Sequence, residues 1–307
     1  MKRKLVCVGI VFLVSIVAFL LFSPSAADAA REKKKIVVIP FTDSTGNNLA
    51  DLTTKMVGST LINLKYLDAR QLVTQSSGLI DDNAAIDMGK KAKANVLIMG
   101  TLSKASFNEA QTVCIVVGAN AGKYPCIQVG RWATISVRII DIDKGKVAFS
   151  GDLGSDPEHP GGGAAFAASY KQGDPRPAPE LIFGDAIDVA CNQLYRKVQE
   201  VYPLMGKVVK KEERIITVDA GKEFGVKMTR AVEIYSAKAK PILDPNTGEV
   251  VGYGESDLVA KGHVHSADAD TCEIKLSKKD MDSVQEGDIV LFKPEKIGKG
   301  SAAPFHL

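Results

Sequence analysis

The chain has 307 residues, enough for two domains of ordinary size, with 45% hydrophobic and 24% charged residues, as in a globular protein. One tryptophan and few aromatics argue against an aromatic-lined carbohydrate or nucleic-acid groove. The formal charge of +3 owes most to Lys2, Arg3 and Lys4, so the body of the chain has no net field to draw in nucleic acid.

Those three cations precede Leu5 to Phe22, a run of 18 mostly apolar residues, and Ala27-Asp28-Ala29 fits the small-x-small pattern of a signal-peptidase site. Residues 1–29 are therefore expected to be a signal peptide. The alternative is an uncleaved N-terminal anchor helix, since 18 apolar residues nearly span a bilayer. Cleavage would remove three cations and one anion, leaving a formal charge of +1. Cys7 lies too early in the run to accept a lipid. An exported chain meets an oxidising compartment, so its cysteines can pair. Cys114 and Cys126 flank the turn-rich VVGANAGKYP and are the expected disulfide.

From residue 30 to 204 strand and helix patterns alternate. Ile36–Phe41 is a continuous apolar run, as in a strand buried on both faces. The stretch FTDSTGNN follows it. It lacks the glycine spacing of either phosphate-binding loop, so strand exit and helix cap, at Asn47 or Asn48, account for it better than nucleotide binding. Leu49, Leu52, Met56, Val57, Leu61 and Leu64 form one helix face, and Asp81 or Asp82 can cap a second helix. Asn95–Gly100 reads as a buried strand, Trp132–Asp143 as another, and Lys146–Gly151 as its return across an Asp143-Lys144-Gly145 turn.

Two insertions interrupt this domain. Ser103–Arg131 is too long for a tight turn, and reads either as a decorated surface loop or as a projecting hairpin, latched near its tip, that binds partners or joins subunits through β-pairing. Residues 152–182, rich in proline and glycine, are expected to hold no regular element. A helix then runs from about Phe183, with Ile187, Cys191, Leu194, Val198 and Val201 on its apolar stripe, to Tyr202-Pro203.

Residues 205–294 carry short β-runs and no convincing helix, with turn signals at Asp244-Pro245-Asn246-Thr247-Gly248 and at Gly287-Asp288, the pattern of a small β-barrel. The tail 295–307 is expected to be disordered. Cys191 reads as a buried thiol and Cys272 as a strand residue. His263 and His265 share a strand face and, with Asp268 or Asp270, are the weak metal candidates. No third ligand stands at zinc spacing, and plain surface is preferred. Asp141 and Asp143 lie beside a turn, where aspartate has a conformational role. No catalytic motif stands out.

IVVIPFTDSTGN, AKANVLIMGTLSKAS and TISVRIIDIDKGKVAFSG resemble three successive blocks of the curli secretion-channel (CsgG) family's periplasmic domain, shared with penicillin-binding-protein activators. Pro40, Phe41 and Asp43, then Ala94, Asn95, Gly100 and Thr101, then Arg138, Asp141 and Gly145 carry the likeness over about residues 35–202, and these positions define fold. Residues 206–293 resemble the C-terminal β-domain of a flagellar basal-body accessory protein, through Asp244, Pro245, Gly248, Gly287 and Asp288 among others. The resemblances imply an α/β layered domain followed by a small all-β barrel. They imply a non-enzymatic periplasmic adaptor or scaffold in cell-envelope assembly, without cofactor, whose partners are envelope proteins or further copies of itself. The alternatives are a subunit of a curli-type outer-membrane secretion channel and a metal-dependent envelope enzyme. Neither insertion shows the regular in-out alternation of a membrane strand.

Overall fold

A computed structural model describes residues 33–71, 80–116, 122–155 and 165–295. The expected leader, and the tail beyond Glu295, lie outside them. The described chain is mixed α and β: a seven-stranded sheet flanked by helices, a closed six-stranded barrel and a separate two-stranded hairpin.

The sheet has the order β3-β1-β4-β5-β6, with β1 (Lys34–Val38), β3 (Leu67–Gln71), β4 (Val96–Val116), β5 (Gly122–Asp141) and β6 (Lys146–Gly154). β1 is parallel to both neighbours; β4, β5 and β6 are antiparallel. A two-residue strand, β2 (Thr42–Asp43), extends β1's course along β4. Alternation explains the apolar run of β1. Ile36 and Val38 face the main core, beneath helix α1 (Ala50–Ile62) and helix α3 (Pro179–Val201), whereas Ile39 joins Leu97, Met99 and Ile140 beneath helix α2 (Asp82–Lys91). The expected stripe of α3 is buried throughout, from Ile187 and Cys191 to Leu194, Val198 and Val201. Asp81 caps α2, accepting from the N–H of Asn83 and Ala84 at 3.0 Å each.

Several expectations are corrected. Asn47 and Asn48 do not cap α1: Leu49 holds the cap position without a side-chain bond, and Asn48 turns the chain with φ 59°. β3, outside the expected elements, alternates Leu67 and Ala69, packed against the main core, with Asp68 and Arg70, and pairs in parallel with β1. Residues 152–182 are not devoid of regular structure. β6 runs to Gly154, α3 starts at Pro179, and Ala165–Lys171 form strand β7, antiparallel to Cys126–Arg131 of β5. Alanine, three of the seven residues of β7, offers little strand propensity, so β7 leans on its partner's ladder.

The barrel runs β10-β13-β14-β9-β8-β15, with β8 (Met205–Glu212), β9 (Ile215–Val218), β10 (Ala231–Tyr235), β13 (Leu258–Ala267), β14 (Cys272–Lys275) and β15 (Ile289–Phe292). Val208, Ile216, Val218, Ile234, Val264, Ile274 and Phe292 fill it. The region is not free of helix: α4 (Lys278–Ser283) is one short turn capped by Ser277, which accepts from the Asp280 N–H. Between β10 and β13, β11 (Pro241–Leu243) and β12 (Val250–Tyr253) form the two-stranded hairpin outside the barrel.

Candidate functional site

The loop after β1 is closed on itself. Asp43 Oδ1 accepts from the Thr45 N–H at 2.7 Å and the Thr45 hydroxyl at 2.6 Å, and Oδ2 accepts from the Leu49 N–H at 2.8 Å. Burial alone would raise the Asp43 pKa, but the bonds from Thr45, Leu49 and Asn47 outweigh it and hold the carboxyl below its ordinary value. Asp43 thus sits where an anion would meet the start of α1, and a phosphate could reach the Leu49 N–H only by displacing it.

Expected fold positions are held by local packing. Pro40 leads into Phe41, whose N–H donates to Thr54 Oγ1 at 2.8 Å. A Cβ on Gly100 would lie 2.4 Å from the Ser136 carbonyl oxygen and 2.6 Å from the Phe41 ring, so only glycine fits beneath that ring. Arg138 pairs with Asp82 at 2.9 Å, tying β5 to α2. Asp141, buried, accepts from the Lys144 N–H at 3.0 Å and so shapes the turn that ends at Gly145.

The segment Ser103–Arg131 forms an arm. β4 and β5 pair without interruption from Val96–Asp141 to Val116–Gly122, apart from one bulge at Leu102/Lys104. The ladder therefore begins in the core and continues outward beyond it. Cys114 and Cys126 are joined, with Cα atoms 5.7 Å apart. They are diagonal in the ladder, since Cys114 faces Tyr124 and Cys126 faces Thr112. A disulfide is the chemistry of an oxidising compartment.

The base of the arm is tied to α3 and to the segment before it. Buried Arg131 pairs with Asp185 and donates to the Leu181 and Ile182 carbonyls at 3.2 and 3.1 Å. Glu109 accepts from Arg176 Nε at 2.9 Å, Arg176 Nη2 at 3.1 Å and the Tyr170 hydroxyl at 3.0 Å, and the Arg176 guanidinium lies 5.0 Å from the Phe107 ring centre. Further out the arm is bare. Val113 and Ile115, on one strand face, are 59% and 66% exposed. Beyond Leu102 the outer edge of β4 has no strand partner among the described residues.

The β11–β12 hairpin is a second projecting element, a lug docked against the sheet. Asp244 Oδ1 accepts from the Asn246 N–H at 2.9 Å, the Thr247 N–H at 2.8 Å and the Thr247 hydroxyl at 3.2 Å, making the turn that carries Pro245 and Gly248. After that turn, Glu249 Oε1 accepts from Lys34 Nζ at 3.0 Å and Lys144 Nζ at 2.5 Å. Burial pushes the Glu249 pKa up, but the two lysines prevail and hold it below its ordinary value. Asp288, beside Gly287, accepts from the Ala237 and Gln285 N–H groups at 2.9 and 2.8 Å and fixes the approach to the lug.

A polar clamp joins α3 to the barrel. Arg230, buried, donates to Gln199 Oε1 at 3.1 Å and to the Lys293 carbonyl at 3.0 Å. Glu295, which opens the expected tail, donates its N–H to Gln199 Oε1 at 3.2 Å and pairs with Lys227 at 2.8 Å.

His263 and His265 are both exposed on β13, and among the described residues no group of three His, Cys or acidic side chains could hold a metal. Cys191 and Cys272 are buried free thiols; burial pushes both upward, Cys272 to about 12. No described helix is long and apolar enough to cross a membrane. Sequence reasoning missed Arg131, Arg176, Arg230 and Glu249. Their partners lie 31 to 215 residues away, and no local pattern signals such pairs.

No family model matches the chain, and no curated protein matches it. Solved structures overlay parts of it. The PelC dodecamer from Paraburkholderia phytofirmans is 13% identical, covering 52% of this chain and 86% of that one, with a TM-score of 0.28. Lipoprotein GNA1162 from Neisseria meningitidis is 11% identical over 52% of this chain and 97% of its own, at 0.27. TolB from Acinetobacter baumannii is 10% identical over 81% of this chain and 59% of its own, at 0.27. At these scores the superpositions carry no weight for fold or function.

Proposed function

We propose that the chain is a non-enzymatic adaptor of the bacterial cell envelope, acting in the periplasm by binding other proteins, with the latched arm as its main contact surface. The observation that carries this reading is the arm itself. Its strands start in the core, a disulfide ties them, and charged anchors fix its base, yet its outer part leaves Val113, Ile115 and a strand edge uncovered. A stiff element with a bare edge suits recognition by strand addition or apolar contact. The positions expected to define the fold are engaged in local structure, which suits a scaffold: Asp43 and Asp141 shape turns, and Arg138 pairs with Asp82.

A photo-crosslinking residue at Ile115 tests it in intact cells. Discrete adducts are expected at Ile115 and not at Lys279 on the barrel, and they should diminish in a Cys114→Ser/Cys126→Ser variant. Equal labelling at both positions, or turnover of a small molecule by pure protein that one polar substitution abolishes, would overturn the proposal. A curli-type channel subunit is the second reading, favoured by β7, which widens the arm to three strands. A channel subunit stays with outer membranes after a salt wash that releases an adaptor.

A further inference from the structure

We propose that the β11–β12 lug is a membrane-surface contact, in which Ile242 and Leu243 enter the headgroup boundary of a bilayer while Lys238 and Lys240 pair with anionic phospholipid headgroups. The lug lies outside the barrel and all three residues of β11 are exposed. Ile242 and Leu243 are adjacent and 51% and 52% exposed, so two aliphatic side chains stand in water on an edge strand. Isolated surface aliphatics need no explanation, but these two belong to an element fixed on its other side. The Tyr253 ring stacks 5.1 Å from Tyr235, in a cluster with Ala239, Leu291, Met205 and Leu258. Glu249 pins the far end to Lys34 and Lys144. A lug held this way reaches a surface with little further loss of conformational entropy.

The charge around it selects the occupant. Lys238 and Lys240 are exposed and have no carboxylate partner among the described residues. The nearby acids are engaged: Asp244 accepts three bonds within its turn, and Glu249 is neutralised by two lysines. Glu255, exposed beyond β12, is within ion-pair distance of neither ammonium. Free ammonium groups beside bare aliphatics match an interface with negative headgroups outside and acyl chains beneath. The proposal does not depend on the arm.

Vesicle flotation of the protein recovered from the envelope of expressing cells tests it. Phosphatidylglycerol-containing vesicles should carry the protein upward at low salt, phosphatidylcholine vesicles much less, and half-molar salt should weaken the binding. Lys238→Gln/Lys240→Gln should reduce binding on the order of 30-fold, from about 1 kcal/mol per cation near an anionic surface. Ile242→Ser/Leu243→Ser should reduce it on both vesicle types, and Lys278→Gln/Lys279→Gln on α4 should leave it unchanged. Absence of binding to anionic vesicles overturns the proposal. So does equal binding by all variants, the result expected if a retained leader alone holds the protein to lipid.

Discussion

Asp43 is a single side chain on which the first corner of the fold depends, because three donors converge on one carboxylate. Asp43→Ala should cost about 2 kcal/mol, the range for a lost charged cap, read as a lower urea midpoint at unchanged slope. The pH dependence has a definite sign. The folded pKa lies below the unfolded value of 3.8, so the contribution is fully present above that value and fades as pH falls through the folded pKa. Asp43→Asn should therefore lose less stability than the parent on acidification. At Gly100 the constraint is space: Gly100→Ala should cost about 1–3 kcal/mol by overpacking, read as a lower Tm, since a backbone oxygen stands 2.4 Å from the new carbon.

At the scale of elements, the diagonal Cys114–Cys126 link restrains the arm. In Cys114→Ser/Cys126→Ser, amide exchange should quicken across residues 108–115 and 122–130 and stay unchanged in β1 and β10; uniform acceleration would mean that the link supports the core as well. How far elements were legible follows from where their stability resides. β1, α1, α2 and α3 carry their own periodicity, and Cys114 and Cys126 were legible from export and spacing. β3 alternates over only four residues and β7 is rich in alanine, signals too short or weak to stand out before β1 and β5 are seen to offer each a ladder. Asn48 was misread because its residue type suits both a cap and a left-handed turn, and only the path from Asp43 to Leu49 decides between them. The bare aliphatics of the arm and lug were hidden for a related reason: Val113 and Ile242 sit in strand-like sequence, and exposure depends on what the rest of the chain fails to cover.

On the scale of the whole molecule, the clamp formed by Arg230, Gln199 and Glu295 links α3 to the barrel and should make sheet and barrel unfold together. Arg230→Ala leaves the buried Gln199 carbonyl short of a donor and Glu295 short of a nearby cation, and should cost about 3 kcal/mol. One transition is expected for the parent by calorimetry and two for Arg230→Ala; a single transition at lower temperature would place the coupling in other contacts. The unbroken course of β4 and β5 has a mechanical consequence. A tug on the arm's outer end, directed along the strands, is met in the sheet by the ladders to β1 and β6, whose hydrogen bonds resist sliding side by side and must give way as a group. Such an element passes tension from a bound neighbour into the middle of the fold with little stretching, as a tie-rod does between two walls.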